Sequence, residues 1–170
     1  QLVKGVGPAR RKLFEQLGIL NIEDLLYFFP RRYEDRTHMT PISQLKVGEF
    51  QTVTGKILAR GGRQTWFTKK HVYEAAVGDE KSRLSCVWFN QPYLDSYLKP
   101  GNQIVLYGRV DLYKNRLQMV SPEYELIREE DEALSIGRIV PIYPLTRGIT
   151  QRYLRKVIKL CLDRYGTQLQ

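Results

Sequence analysis

The sequence lacks the motifs that nucleotide hydrolysis and metal-dependent catalysis require. No GxxxxGK[ST] sequence occurs among its 170 residues, and a P-loop needs that sequence to cradle phosphates. His38 and His71 are its only histidines, and neither lies in an HExxH motif or in a recognisable Ser-His-Asp arrangement. We therefore expect a non-catalytic binding module that holds no metal and no cofactor of its own.

Cysteine and long apolar runs are also scarce. Cys86 and Cys161 stand in apolar segments without CxxC spacing, which indicates neither a zinc site nor a disulfide framework. We expect reduced, buried thiols in a cytoplasmic protein. No apolar run reaches the length of a membrane-spanning helix, and no signal peptide is recognisable. The first residues begin in the middle of a pattern, so we expect a piece of a longer chain.

Negative charge is under-represented relative to positive charge. The chain contains 27 Lys and Arg against 18 Asp and Glu, which gives a formal net charge of +9. An excess of this sign and size points to an anionic polymer, most often nucleic acid, as the partner. The alternative interpretation is ordinary solubilising charge.

The first part of the chain has a helical pattern that begins at a glycine turn. Gly5-Val-Gly7-Pro8 is typical of a tight turn that opens a helix, Gly18 ends that helix, and Asn21 caps a second one. The turn resembles the hairpin of helix-hairpin-helix elements, in which glycines let the backbone approach a phosphate. Gly5 and Gly7 are therefore candidate phosphate-binding residues, with an ordinary glycine turn as the alternative.

From Phe50 onward the hydrophobic period changes to two, which is typical of half-buried strands. Gly61-Gly62 is predicted to be a turn, and a short helix is predicted over residues 93–98. The pattern predicts five strands, at residues 52–57, 71–77, 83–89, 103–112 and 116–121. Five strands with a helix between the third and the fourth match the order of the OB-fold, a Greek-key barrel.

We therefore predict an α+β, mainly β chain with three regions. Residues 1–48 are expected to form a helical segment that ends in the RRYEDR linker. Residues 49–128 are expected to form the five-stranded OB-fold barrel. Residues 129–170 are expected to contain an acidic link, a VPIYPL strap and a C-terminal amphipathic helix, which begins near Thr150.

OB barrels bind single strands through a positive groove and aromatic platforms. Trp88 shares a strand face with Cys86 and is expected in the core, whereas Phe89 lies on the opposite face and Tyr93 begins the next helix. The polar corner at residues 90–92 is expected to hold both rings outward, with scattered packing aromatics as the alternative. The candidate groove and phosphate contacts are Arg60, Arg63, Trp66, Phe67, Lys69, Lys70 and Arg109.

Three longer motifs resemble the RecG family of bacterial ATP-dependent DNA helicases. The first is LLYFFPRRYEDR at residues 25–36, and the second is WFNQPYL at residues 88–94. The third is IVPIYPLT at residues 139–146, followed by ITQRYLR at residues 149–155. Together they extend the resemblance over essentially the whole chain.

The resemblance implies a wedge domain, which is the DNA-binding part of a translocase that remodels stalled forks in DNA repair and recombination. Motor domains that use ATP and Mg would follow in the parent protein and drive fork regression to a four-way junction. The family's FNxxY-type corner falls on Phe89 and Tyr93, whose rings would stack on bases at the branch point. The implied setting is a monomer in the bacterial cytoplasm, associated with the nucleoid and not with a membrane. The implied partners are branched DNA and single-strand-binding protein.

Two other interpretations remain open at this point. The chain could be a stand-alone OB module for single-stranded DNA or RNA, or a module that holds a partner's peptide. The RRYEDR segment and the VPIYPL strap favour the RecG interpretation, because an ordinary OB appendage has no need of them.

Overall fold

The computed structural model describes residues 3, 6–64, 71–128 and 136–168. The chain divides into two compact units. The first unit joins residues 1–35 to residues 138–170, and the second, which we term the barrel unit, comprises residues 36–137. The start and the end of the chain, which the sequence pattern presents as separate regions, therefore belong to one unit.

The described residues contain four α-helices and eight strands, numbered here in chain order. The helices are α1 (Pro8–Gln16), α2 (Ile22–Leu26), α3 (Leu94–Tyr97) and α4 (Gln151–Tyr165). The strands are β1 (Arg32–Asp35), β2 (Phe50–Gln64), β3 (His71–Gly78), β4 (Arg83–Phe89), β5 (Gln103–Tyr113), β6 (Arg116–Val120), β7 (Glu123–Ile127) and β8 (Ile139–Ile142).

The barrel unit contains a closed five-stranded barrel. β2 pairs antiparallel with both β3 and β5, β3 pairs with β4, and β5 pairs with β6. A parallel pairing of β4 with β6 completes the circuit. Since α3 lies between the third and the fourth barrel strands, the order is that of the OB-fold, and the predicted fold class is confirmed.

Side chains that alternate along the strands fill the barrel. Leu84, Cys86 and Trp88 of β4 are each at most 1% exposed, as the period-two pattern of a strand predicts. Burial raises the pKa of the Cys86 thiol, which leaves it an inert core residue. The other strands add Val53, Ile57, Val77, Ile104, Leu106, Val110 and Met119 to the same core.

One predicted turn is wrong. Gly61 and Gly62 lie within β2, where they face Glu74 and Tyr73 of β3. Glycine pairs often mark turns because glycine adopts a positive φ at no steric cost, but neither of these glycines has one. Pairing with β3 keeps both extended, so β2 continues to Gln64.

β7 is a strand that the sequence pattern did not predict. It pairs antiparallel with β5 and so lies outside the five-stranded circuit. An ion pair joins Arg36 Nη1 to Glu125 Oε2 of β7 at 3.0 Å, with the two side chains only 2% and 9% exposed. Because breaking a buried ion pair is strongly destabilising, this contact fixes β7 to the segment that precedes the barrel.

The first unit combines a two-stranded sheet with three helices. The RRYEDR segment supplies β1 and the strap supplies β8, and Tyr33 lies opposite Pro141 in their antiparallel pairing. The ring of Phe28 stacks on that of Tyr143 at 5.9 Å. The unit has its own apolar core, formed by Phe14, Ile19, Leu25, Ile149, Leu154, Val157, Ile158 and Cys161.

Asn21 begins α2 through a capping box. Its side-chain oxygen accepts from the backbone N–H of Asp24 at 2.9 Å, and the Asp24 carboxylate accepts from the Asn21 N–H at 3.2 Å. We expect Asn21→Ala to lower the free energy of unfolding by about 1 kcal/mol, because it leaves a helical N–H without its side-chain acceptor. Urea denaturation tests this, with Asn21→Ser as the matched control that retains a capping oxygen. Equal losses in both variants would contradict the assignment.

In the part of the chain that the structure describes, no helix is both long and apolar enough to cross a membrane. The same residues contain no group of three or more His, Cys, Asp or Glu side chains that could hold a metal ion.

Candidate nucleic-acid interface

A tight corner connects the end of β4 to α3. Asn90 adopts a left-handed backbone conformation with φ of 55°, which asparagine tolerates better than most residues. Its N–H donates to the carbonyl of His71 at 2.8 Å, so the corner is tied to the start of β3. Leu94, the first residue of α3, and Leu98, the residue that follows α3, are completely buried. The chain direction after β4 is therefore fixed both by the sheet and by the core.

This corner presents two aromatic rings to solvent. Phe89 is 42% exposed and Tyr93 is 50% exposed, whereas the neighbouring Trp88 is 1% exposed. Trp88 points into the barrel, where its indole N–H donates to the carbonyl of Pro122 at 3.0 Å. The rings at 89 and 93 thus lie on the solvent side and the ring at 88 lies in the core; for the adjacent residues 88 and 89 this is what strand alternation predicts.

Tyr124 of β7 lies beside the corner. Its own ring meets those of Trp88 and Tyr97 edge-on, at centroid distances of 5.9 and 6.3 Å. The Tyr93 hydroxyl donates to Gln91 Oε1 at 2.8 Å, and it interacts electrostatically with the Tyr124 hydroxyl. Burial, together with the Tyr93 hydroxyl, raises the pKa of Tyr124. Since the Tyr93 proton is directed at Gln91, we expect Tyr124 to donate to the Tyr93 hydroxyl, so that a relay of two hydrogen bonds orients Tyr93.

The sequence pattern missed Tyr124 because it lies on the unpredicted strand. The sequence does contain a signal for this strand, because residues 123–126 read EYEL and so alternate acidic with apolar side chains. Tyr124 and Leu126 pack against the barrel core, and such packing of alternate residues is what a period of two indicates.

We expect Tyr124→Phe to weaken binding of forked DNA about two- to ten-fold, since one hydrogen bond contributes about 0.5–1.5 kcal/mol. The ring contacts with Trp88 and Tyr97 remain, so the melting temperature should hardly change. Tyr93→Phe should give a similar loss, and the double variant should lose little more, because both changes break the same relay. Tyr113→Phe removes an exposed hydroxyl elsewhere on the barrel and serves as the control in the same titrations. Additive losses would exclude the relay.

The structure places two of the predicted basic contacts in ion pairs. Arg60 Nη1 lies 2.6 Å from Asp95 Oδ1, so Arg60 braces α3 against β2. Arg109 Nε lies 3.6 Å from Asp111 Oδ1 on the exposed side of β5. Arg109 faces Phe50 across β2 and β5 and is not on the pair of strands that carries the corner.

The remaining predicted contacts are only partly described. Trp66, Phe67, Lys69, Lys70 and Gly5 lie outside the described residues. The backbone of Arg63 faces Val72, which in turn faces Phe89, so position 63 lies about 10 Å from position 89 in the same cross-strand row. Gly7 precedes α1 in an extended conformation. A Cβ at Gly7 would meet nothing within 4 Å, so the fold itself does not require glycine there.

Comparison with known proteins identifies the family. The model of the RecG wedge domain family matches residues 1–164. The ATP-dependent DNA helicase RecG of Thermotoga maritima is 37% identical over 164 residues, a match that covers 94% of this chain and 20% of the relative. The RecG helicase of Escherichia coli K12 is 30% identical over 168 residues, covering 96% of this chain and 23% of the relative. The chain thus spans about a fifth of the length of the curated relatives that it matches.

A solved structure gives the same assignment. The structure of RecG bound to a three-way DNA junction is 35% identical to this chain, with a TM-score of 0.65. The match covers 92% of this chain and 21% of that one. The resemblance that the three sequence motifs indicated is therefore confirmed. The chain belongs to the RecG wedge domain family.

Proposed function

We propose that this chain is the branched-DNA-binding wedge of a longer ATP-dependent DNA helicase that remodels stalled replication forks. The observation that carries the proposal is the exposed ring pair of Phe89 and Tyr93 on a corner anchored in the barrel. The RecG structure that is 35% identical to this chain is bound to a three-way DNA junction, which supports branched DNA as the ligand.

The two rings act by stacking on bases at the branch point. Every base offers a stackable face, so stacking holds a fork without regard to its sequence. Phe89 and Tyr93 cap the last base pair of the separating arms. Trp88, Leu94 and Leu98 are buried beneath them, so the corner stays rigid when DNA is drawn against it.

The motor activity belongs to the longer protein. Its motor domains would bind ATP and Mg²⁺, pull duplex DNA and force it onto the wedge, so that the fork regresses toward a four-way junction. This chain has no GxxxxGK[ST] sequence and would hydrolyse no ATP alone. We further propose that the longer protein acts as a monomer at the bacterial nucleoid and contacts single-strand-binding protein.

The proposal predicts that this chain prefers forked DNA to other DNA structures and does not hydrolyse ATP. A fluorescence titration at two salt concentrations should show tighter binding of a fork than of blunt duplex or single-stranded DNA. An ATPase assay with the same DNA should show no turnover. Equal affinity for single-stranded and forked DNA would instead favour a stand-alone OB module. DNA-stimulated ATPase activity of this chain would contradict the proposal that ATP hydrolysis belongs to the motor domains.

A further inference from the structure

The positive charge of the chain is concentrated in the first unit. Residues 1–35 and 138–170 together contain 13 Lys and Arg and 6 Asp and Glu, a formal charge of +7. The barrel unit contains 14 basic and 12 acidic residues, a formal charge of +2. A basic patch is the electrostatic footprint of a nucleic-acid-binding surface. The ring pair lies on the barrel, but most of the charge excess lies on the first unit.

Within the first unit, ten of the 13 cations occupy two stretches that contain no acidic residue. Residues 138–162 include six Lys and Arg and no Asp or Glu. Residues 1–14 include four Lys and Arg, and again no acidic residue. Seven of these ten cations lie in α1 or α4.

A cation–ring contact joins the first turns of these two helices. The guanidinium carbon of Arg10 in α1 lies 4.4 Å from the centroid of the Tyr153 ring in α4. Lys156 lies one turn beyond Tyr153, and Arg152 and Lys156 are neighbours at the i, i+4 spacing. Lys156 is exposed. Arg152 and Lys156 thus lie within one helical turn of Tyr153, the residue that Arg10 contacts.

The loop before α4 adds a fourth cation. Arg147 is exposed and precedes Thr150, the N-cap of α4. The Thr146 hydroxyl donates to Gln16 of α1 at 3.1 Å, which holds this loop against the first helix. We term Arg10, Arg147, Arg152 and Lys156 the cationic surface.

Helix stability alone disfavours this arrangement. Cations in a first turn oppose the helix macrodipole, and neither α1 nor α4 has an acidic residue there. Arg152 and Lys156 are two cations at the i, i+4 spacing, at which like charges repel. A bound polyanion would turn the unfavourable placement into a favourable one.

We infer that the cationic surface binds the sugar-phosphate backbone of a duplex DNA arm. The choice of DNA as the polyanion rests on the proposed function. Duplex DNA carries one negative charge per about 1.7 Å of its axis, so several cations on one surface can meet neighbouring phosphates of any sequence. Phosphate contacts position a protein on DNA. The cationic surface would supply such contacts from the first unit, whereas the base-stacking corner belongs to the barrel unit.

The test reverses two exposed charges of the cationic surface and compares the effect on DNA binding with that of reversing two exposed charges on the barrel. Arg147→Glu combined with Lys156→Glu is the test variant. Lys81→Glu combined with Lys99→Glu is the matched control, because these exposed barrel lysines give the same change in net charge. The whole chain is titrated with a blunt duplex and with a fork over a series of salt concentrations, and melting temperatures verify folding.

The test variant should bind both DNAs about ten-fold or more weakly, and the slope of log K against log salt should fall by about 2, at roughly 0.9 per lost phosphate contact. The preference for fork over duplex should not change, and the control should behave like the unaltered chain. An unchanged slope, or an equal loss in the control, would overturn the inference. The inference would also be overturned if polyglutamate bound more tightly than duplex DNA and this binding depended on Arg147 and Lys156.

The two hypotheses fail in different ways. If the unaltered chain shows no preference for forks, the proposed function fails, yet the slope on blunt duplex still tests the cationic surface. If the preference is present and the slope does not depend on Arg147 and Lys156, only the surface is excluded.

Discussion

Fork binding should weaken by about 30-fold or more when both Phe89 and Tyr93 are replaced by alanine. Stacking of a base on an aromatic ring is worth about 1–3 kcal/mol, and each 1.4 kcal/mol is about ten-fold in affinity. Each single substitution should therefore cost about ten-fold. Because the two rings are 42% and 50% exposed, the melting temperature should hardly change. Anisotropy titrations of labelled fork and duplex measure the binding effect.

Phe50→Ala is the matched control for the ring substitutions. Phe50 is 64% exposed on the same barrel, but its ring lies beside Tyr107 at 5.9 Å, and no described contact joins it to the corner. Its removal should leave the preference for forks intact. If Phe89→Ala unfolds the barrel while fork affinity per folded molecule persists, then Phe89 is a structural residue and the ring pair is not the contact.

Trp88→Ala should have the opposite effect, since it should lower the melting temperature and not act primarily on fork affinity. It empties a site that is 1% exposed, and truncation of a buried Trp costs about 3–5 kcal/mol. It also leaves the Pro122 carbonyl without the indole donor. For a unit of this size the melting temperature should fall by more than about 10 °C. Differential scanning calorimetry measures the shift.

Trp88→Phe is the control for this second prediction. It retains most of the ring volume between Tyr73 and Tyr124, so it should destabilise the barrel much less than alanine does. Below its melting transition, Trp88→Phe should bind forks with an affinity close to that of the unaltered chain. A melting temperature unchanged by Trp88→Ala would show that the ring at 88 is not in the core.

The opposite positions of the adjacent rings at 88 and 89 follow from local chemistry, which is why the sequence pattern could predict them. Trp88 and Phe89 are neighbours on one strand, so their side chains must point to opposite faces. The apolar partners of Trp88 at 84 and 86 identify its face as the inner one. The order of five strands and one helix likewise follows from hydrophobic period and turn residues along the chain.

Features that depend on distant segments could not be predicted in the same way. Arg60 appears in the sequence as one more basic residue, and its ion pair with Asp95 exists only because folding brings β2 to α3. The pairing of β1 with β8 joins segments about 100 residues apart and leaves no local periodic signal. The charge difference between the two units is hidden for the same reason, because the first unit is assembled from both ends of the chain.

The two units would then contribute different parts of fork recognition. Contacts with phosphates position a protein on DNA without reading it, and the +7 charge of the first unit suits that task. Stacking at the branch point selects structure and depends little on salt. Salt dependence and fork preference are therefore expected to respond to different substitutions, which makes them separable in one set of titrations.

The most direct test of the central claim places a fluorescent base analogue at the branch point. A fork with 2-aminopurine as the last paired base of one arm reports stacking through its fluorescence, and the same analogue inside the arm is the control. Binding of the unaltered chain should change the branch-point signal but not the internal one, and the Phe89→Ala/Tyr93→Ala variant, at saturating concentration, should not. An identical branch-point change with the double variant would show that the two rings do not contact the bases at the junction.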